Sequence, residues 1–114
     1  MRVPNADRAV ANEQKVKDYL LSSSHPVGRY KARFFRSLGY DQNGWRRLAS
    51  DLIALLANEV SESVEIEYGT KYVVPGQLTG SDGRATDILT VWIILAGEDV
   101  PRLVTAYPGN RDEN

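Results

Sequence analysis

The sequence predicts an α+β fold in which helices come first and an antiparallel sheet follows. Apolar residues recur at helical spacing early in the chain and change to a strand-like alternation near residue 60. Short turns then separate the strand-like segments, which is typical of an antiparallel meander. We therefore expect about three helices to pack on one face of a three- to four-stranded antiparallel sheet, with the other face open to ligand or solvent.

Three segments have the pattern of helices. Asn12 is predicted to cap the first helix, because an Asn side chain can accept a backbone N–H group at that position. Pro26 is predicted to open the second helix, where a missing N–H group costs nothing, and Gly39 to follow its end. The predicted helices cover residues 13–21, 26–38 and 43–58.

Four segments of the second half have the pattern of strands. They are Val64–Glu67, Tyr72–Thr79, Arg84–Leu95 and Arg102–Tyr107. Pro75-Gly76 interrupts the second of them, which predicts a bulge or a place at the sheet edge.

The long third strand has two faces of different character. Its predicted helix-packed face consists of Leu89, Val91, Ile93 and Leu95. Its predicted open face consists of Thr86, Ile88, Thr90, Trp92 and Ile94.

The 114 residues suit one compact domain, in which we expect residues 1–109 to fold and the polar tail 110–114 to be flexible. The chain has no cysteine, which excludes disulfides, thiolate catalysis and thiolate zinc sites, and fits a cytoplasmic protein. The N-terminus has no apolar stretch of the kind found in signal peptides. The longest apolar run, Val91–Ala96, is far too short to span a bilayer, so no membrane association is expected.

Charge is divided unevenly along the chain. Residues 1–50 contain ten Lys and Arg against four Asp and Glu, a net charge of +6. Residues 51–114 contain four Lys and Arg against eleven Asp and Glu, a net charge of −7, so the whole chain has a net charge of −1. The overall charge argues against nucleic-acid binding, whereas the basic half would suit one face that binds an anionic polymer. The alternative is that these charges lie on ordinary solvated helix faces.

The stretch from His25 to Phe35 contains residue types suited to proton transfer and phosphate binding. His25 is the only histidine, and a neutral imidazole beside a helix N-terminus can act as a general base next to a bound phosphate. The alternative is a histidine that caps the helix or faces water. Lys31 falls within the predicted apolar arc of the second helix, so it must snorkel, pair with a carboxylate or point into a ligand site. The arc consists of Val27, Tyr30, Phe34 and Leu38, opposite a solvated side with Arg29, Arg33 and Arg36.

On the last predicted strand, Thr105 and Tyr107 share a face. Hydroxyl groups and an aromatic ring can hold a phosphate and stack a base, although such residues also stabilise ordinary sheets through cross-strand pairs. The sequence has no metal-ligand spacing, P-loop, dinucleotide fingerprint or nucleophile elbow. We therefore expect no metal and no cofactor.

Five stretches carry a resemblance to one bacterial family. They are Met1–Ala6, His25–Phe35, Leu38–Tyr40, Thr90–Ile93 and Pro101–Pro108. Through them nearly the whole chain resembles the domain of unknown function DUF6883, a family that implies no particular activity.

In residue type and order, the chain also resembles the barnase/EndoU/colicin/RelE group of metal-independent ribonuclease toxins. That group places helices before a four-stranded antiparallel sheet. The resemblance implies that His25, Lys31, Thr105 and Tyr107 are catalytic, that RNA is the substrate, and that a small antitoxin or immunity protein is a partner. The net charge of −1 departs from the basic character of many such nucleases.

Two functions therefore remain open. The first is a small ribonuclease, the toxin of a toxin–antitoxin pair, in which His25 moves a proton, Lys31 offsets charge on the reacting phosphate, and Thr105 and Tyr107 position it. The second is a non-catalytic module that binds a partner protein through the Trp92 face or a sheet edge. A positive cleft with His25 and Lys31 favours the nuclease, and a flat apolar patch favours the module.

Overall fold

The computed structural model describes residues 1–109 and confirms the predicted α+β fold. The predicted flexible tail, residues 110–114, lies outside the described residues. The helices are α1 (Glu13–Lys15), which continues as a π-helical segment (Val16–Leu20), α2 (Arg29–Ser37) and α3 (Trp45–Ala54), with 3₁₀ turns at Ala6–Arg8 and Leu55–Ala57. The strands are β1 (Glu62–Ile66), β2 (Gly69–Thr79), β3 (Ala85–Leu95) and β4 (Arg102–Pro108).

The helix ends follow the sequence signals in part. The Asn12 side chain accepts a hydrogen bond from the Lys15 N–H group at 2.9 Å, so the predicted cap is confirmed. Gly39 has the positive φ of 98° expected just past the end of α2. Pro26 does not open α2, which begins three residues later at Arg29, because residues 26–28 form a turn.

The first helix widens after one turn of α-helix. The Leu21 N–H group bonds to the Val16 carbonyl oxygen at 3.0 Å, five residues back, as in a π-helix. Spacing rules based on 3.6 residues per turn do not hold across such a segment. The side chains that follow Val16 therefore point in directions that the apolar pattern does not predict.

The four strands form one antiparallel sheet in chain order, β1-β2-β3-β4. β2 pairs with β3 along its whole length, and with β1 only as far as Val73. Pro75 lies beyond that point and next to an unpaired edge, where its missing N–H group breaks no ladder bond. The register shift is instead between β3 and β4, at Val91 and Trp92.

The core lies against the β3 face that carries Trp92, which is the opposite of the sequence prediction. Ile88, Thr90 and Trp92 are fully buried, whereas Leu89 and Val91 are only half-buried. The Trp92 Nε1–H group donates to the Thr90 hydroxyl at 2.8 Å, and this hydroxyl donates to the Val74 carbonyl oxygen at 2.8 Å. These bonds satisfy the Thr90 hydroxyl, so a threonine is acceptable in the core. Because Trp92 is fully buried, it offers no exposed face to a partner protein.

The chain before α1 covers part of the free edge of β4. Val10 forms a parallel bridge with Arg102, in which its N–H group bonds to Pro101 at 2.8 Å and its carbonyl oxygen accepts from Leu103 at 2.9 Å. This places α1 and the π-helical segment close to β4. Within residues 1–109, no helix has the length and apolar character needed to cross a membrane.

Candidate functional site

Tyr19, in the π-helical segment, is the centre of a group of polar side chains beside β4. Its hydroxyl lies 3.2 Å from the Thr105 hydroxyl, and its ring meets the His25 ring edge-on at a centroid distance of 5.0 Å. The ammonium groups of Lys31 and Lys15 lie 5.5 and 5.4 Å from the ring centroid. We call Tyr19, His25, Lys31 and Thr105 the Tyr19 cluster. Three of the four site residues predicted from the sequence, all but Tyr107, therefore contact Tyr19. Tyr19 itself is not among the predicted site residues.

Gly28 allows the two helical segments of the cluster to approach each other. A Cβ atom at this position would overlap the backbone carbonyl oxygen of Tyr19. Glycine thus lets the turn before α2 lie directly against the π-helical segment. This contact brings Lys31, on the first turns of α2, to the ring of Tyr19.

The backbone ahead of α2 fixes the orientation of His25. The Nδ1 atom accepts hydrogen bonds from the Val27 N–H group at 3.0 Å and the Gly28 N–H group at 2.9 Å. In a neutral imidazole with Nδ1 as acceptor, the proton is on Nε2. His25 therefore caps this turn, which is one of the two alternatives open from the sequence, and presents Nε2–H as a hydrogen-bond donor.

The surroundings of Tyr19 favour its ionised form. Burial alone would raise the pKa of the Tyr19 phenol, but the Thr105 hydrogen bond and the attraction of Lys31 and Lys15 outweigh it. The pKa of Tyr19 is therefore lower than that of an ordinary tyrosine. A larger fraction of Tyr19 than of an isolated tyrosine is therefore in the phenolate form, the form that can accept a proton.

An open cleft of about 350 Å³ lies beside the cluster. Its lining residues are Asn12, Gln14, Lys15, Asp18, Tyr19 and His25. Of the four predicted site residues only His25 lines this cleft, while Lys31 and Thr105 contact its Tyr19 wall. The described residues include no group of three His, Asp or Glu side chains that could hold a metal ion.

Lys31 is half-buried, but not because it lies within an apolar arc of α2, as the sequence predicts. The predicted apolar arc is wrong at its first two residues, because Val27 is 61% exposed and Tyr30 is 63% exposed. Its other two members follow the prediction, since Leu38 is buried and Phe34 packs against the core. The buried side of α2 instead carries Ala32 and Phe35. The prediction started the helix at Pro26, so it included residues that lie in a turn. Lys31 is half-buried because it packs over Tyr19.

Tyr107 does not join the cluster. It pairs with Leu89 of β3, and no hydrogen bond within the described residues links its hydroxyl to His25 or Lys31. Thr105 pairs with Val91, next to the register shift, and there its hydroxyl meets Tyr19.

Spacing in the sequence did not reveal Tyr19. Val16, Tyr19 and Leu20 have the spacing of an apolar helix face, and Val16 and Leu20 are indeed buried. The one signal available was the lysine four residues earlier, Lys15, which lies over the Tyr19 ring.

Comparison with known families settles the relationship of the chain. Residues 2–110 match the profile of the domain of unknown function DUF6883. The chain belongs to this family. No curated protein matches the DUF6883 chain.

A solved structure shares the fold of this DUF6883 chain. It is a chain from a contact-dependent growth inhibition toxin–immunity protein complex of Klebsiella pneumoniae 342. The two chains superpose with a TM-score of 0.70 at 23% sequence identity, over 92% of this chain and 97% of the other. The similarity extends across the helices and the sheet, so the whole arrangement is a known fold.

Proposed function

We propose that this DUF6883 chain is a metal-independent endoribonuclease of a toxin type that acts in the cytoplasm. The observation that carries the proposal is the convergence of His25, Lys31 and Thr105 on one ionisable residue, Tyr19, beside an open cleft. The fold shared with a chain of a toxin–immunity complex supports the toxin assignment and an immunity or antitoxin protein as partner.

The proposed reaction is an internal transesterification of RNA. The 2′-oxygen attacks the adjacent phosphorus, the bond from phosphorus to the 5′-oxygen breaks, and the products carry a 2′,3′-cyclic phosphate and a 5′-hydroxyl. Tyr19, as phenolate, takes the proton of the 2′-hydroxyl, and the Lys31 ammonium gives a proton to the departing 5′-oxygen. Transfer of the phenol proton from Tyr19 to the neighbouring Lys31 amine then restores both groups.

Charge stabilisation is the second requirement of this reaction. The negative charge on the non-bridging oxygens grows as phosphorus gains a fifth bond, and donors fixed in advance stabilise that charge. The Nε2–H group of His25 and the Thr105 hydroxyl are such donors in the proposal. His25 acts as a donor rather than as the base because its Nδ1 atom already accepts two backbone N–H groups.

The test is cleavage of total RNA by the purified protein in the presence of EDTA. Wild type is compared with Lys31→Ala, with His25→Asn and with Lys71→Ala, a control lysine on β2. Asn keeps an acceptor for the Val27 and Gly28 N–H groups but lacks the Nε2 donor. We expect the Lys31 variant to lose roughly 10²–10⁴-fold in rate as a lost proton donor, and the His25 variant roughly 10²–10³-fold as a lost charge-stabilising donor. The control should match wild type, and the products should carry cyclic phosphate ends.

Three outcomes would contradict the proposal in different ways. If RNA stays intact in every buffer and expression does not slow growth, the protein is not a ribonuclease. If EDTA stops cleavage, the reaction needs a metal. If His25→Asn abolishes cleavage but Tyr19→Phe leaves it unchanged, His25 rather than Tyr19 moves the proton.

A further inference from the structure

A second cleft lies on the other flank of α2 and is strongly basic. Its volume is about 510 Å³, and its lining residues are Ser23, Arg29, Tyr30, Arg33 and Arg36. We call it the arginine cleft. The three arginines were predicted to form a plain solvated helix face, but a concave surface with three guanidinium groups is suited to bind an anion.

No carboxylate neutralises these arginines within residues 1–109, where the ion pairs involve other residues. Arg36 donates to the Leu21 carbonyl oxygen at 3.1 Å, and Arg29 donates to the Tyr30 hydroxyl at 3.0 Å. These bonds orient two guanidinium groups and leave their charge in place. Arg33 is exposed, and it has neither an ion pair nor a side-chain hydrogen bond to any of residues 1–109. The positive charge of the cleft is therefore available to a ligand.

The arginine cleft and the cleft beside Tyr19 each include a residue of the chain just ahead of α2. Ser23 lines the arginine cleft, and His25 lines the cleft beside Tyr19. Two residues of chain span at most about 7 Å. The backbones of these two lining residues are therefore close enough for one extended ligand to contact both clefts.

We propose that the arginine cleft binds phosphates and one base of single-stranded RNA, a few nucleotides from the bond cleaved at the Tyr19 cluster; this rests on the proposed function. Guanidinium groups match phosphate oxygens in a bidentate geometry. The Tyr30 ring is 63% exposed, and its neighbour Arg29 lies 4.9 Å from the ring centroid. An exposed ring beside arginines is the arrangement that stacks an unpaired base.

Binding is measured apart from cleavage, with a fluorescent 2′-O-methyl RNA 12-mer that has no attacking 2′-hydroxyl. The test variant carries Arg29→Gln, Arg33→Gln and Arg36→Gln, and the control variant carries Arg46→Gln, Lys71→Gln and Arg84→Gln, with the same change of charge. We expect the test variant to lose affinity about tenfold or more. We also expect its plot of log affinity against log salt to become shallower by about 2, since each phosphate contact to a single strand contributes about 0.7. The control should stay close to wild type.

A cleavage measurement separates this inference from the proposed function. The test variant should lose activity on a 12-mer but retain it on a dinucleoside monophosphate, whose single phosphate is the one cleaved and which has none left for the arginine cleft. Wild-type affinity in the test variant, or an equal loss in the control, would overturn the inference even if RNA is cleaved. Arginine-dependent binding without any cleavage would refute the proposed function alone. If poly-glutamate binds through the three arginines and RNA does not, the cleft recognises an acidic protein and the inference is wrong.

Discussion

Tyr19 and Tyr40 both have a hydroxyl group bonded to another side chain, yet their surroundings are opposite. Tyr19 lies beside an open cleft with two lysines and Thr105 around it, and its pKa is lowered. Tyr40 is buried and donates to Asp51 at 2.6 Å, and burial together with this carboxylate raises its pKa. The environment, and not the residue type, therefore distinguishes a tyrosine suited to chemistry from one that stabilises the fold.

The largest expected effect separates the two tyrosines by activity. Tyr19→Phe should lower RNA cleavage roughly 10²–10³-fold, because it removes the oxygen that we propose accepts the 2′-hydroxyl proton. Tyr40→Phe should cleave at the wild-type rate, because Tyr40 bonds to Asp51 and neither residue lines the cleft beside Tyr19. Initial rates on a defined RNA would measure both, and equal losses in the two variants would remove the functional distinction.

The next effect concerns the contact that builds the Tyr19 region. Gly28→Ala should reduce the free energy of unfolding by about 1–3 kcal/mol, because the new methyl group overlaps the Tyr19 carbonyl oxygen. Gly44→Ala is the matched control, since its Cβ would meet only the end of the Asp41 side chain at 3.3 Å. Urea denaturation should show a change of about 0.5 kcal/mol or less for the control. Similar stability of the two variants would mean that the approach at Gly28 is not important.

A smaller effect concerns stability, where the substitution of Tyr40 should matter more than that of Tyr19. Tyr40→Phe should cost about 1–2 kcal/mol of stability, because it removes a hydrogen bond to a charged group in a partly buried place. Tyr19→Phe should cost less, about 0.5–1 kcal/mol, since its partner is the neutral Thr105 hydroxyl. Urea denaturation of the two variants at pH 7 gives the comparison directly. A larger cost at Tyr19 would indicate that its region is built for stability.

The smallest effect is a difference in pH dependence. Because the pKa of Tyr40 is higher in the folded state, the protonated phenol stabilises the fold. This contribution is complete below the ordinary tyrosine pKa of about 10, and it is lost as the pH rises towards the folded-state pKa. Because the pKa of Tyr19 is lower in the folded state, its effect on stability has the opposite sign. Ionised Tyr19 stabilises the fold above the ordinary tyrosine pKa of about 10, and this contribution is lost as the pH falls through the folded-state pKa. Denaturation from pH 8 to 11 should therefore show a weaker alkaline loss of stability in Tyr40→Phe and a stronger one in Tyr19→Phe.

Much of the fold could be predicted from the sequence because its signals are local. Asn12 and Gly39 act at single turns, and the four strands and three helices follow the apolar periodicity. The faces of β3 could not be predicted, because both are rich in apolar residues. Thr90 has the polar character of an open surface, and its burial depends on bonds to Trp92 and Val74 that the sequence does not reveal.

The candidate site was predictable only in part. His25, Lys31 and Thr105 stand out by residue type, and they do meet at Tyr19. Tyr19 itself could not be predicted, because its direction depends on a π-helical segment that no spacing rule describes. Tyr107 does share the strand face of Thr105, as alternation predicts, because the two pair with Leu89 and Val91. It lies two residues farther along β4, and the Tyr19 hydroxyl meets Thr105.

The hydrogen bond between Tyr19 and Thr105 joins residues 86 positions apart in the chain. The bridge between Val10 and Arg102 closes a similarly long loop. Such distant contacts form late in folding, because loop closure must precede them. A ribosome that has translated only as far as β3 therefore holds a chain without the Tyr19 cluster. The Tyr19 cluster can therefore assemble only after β4, which carries Thr105, has been synthesised.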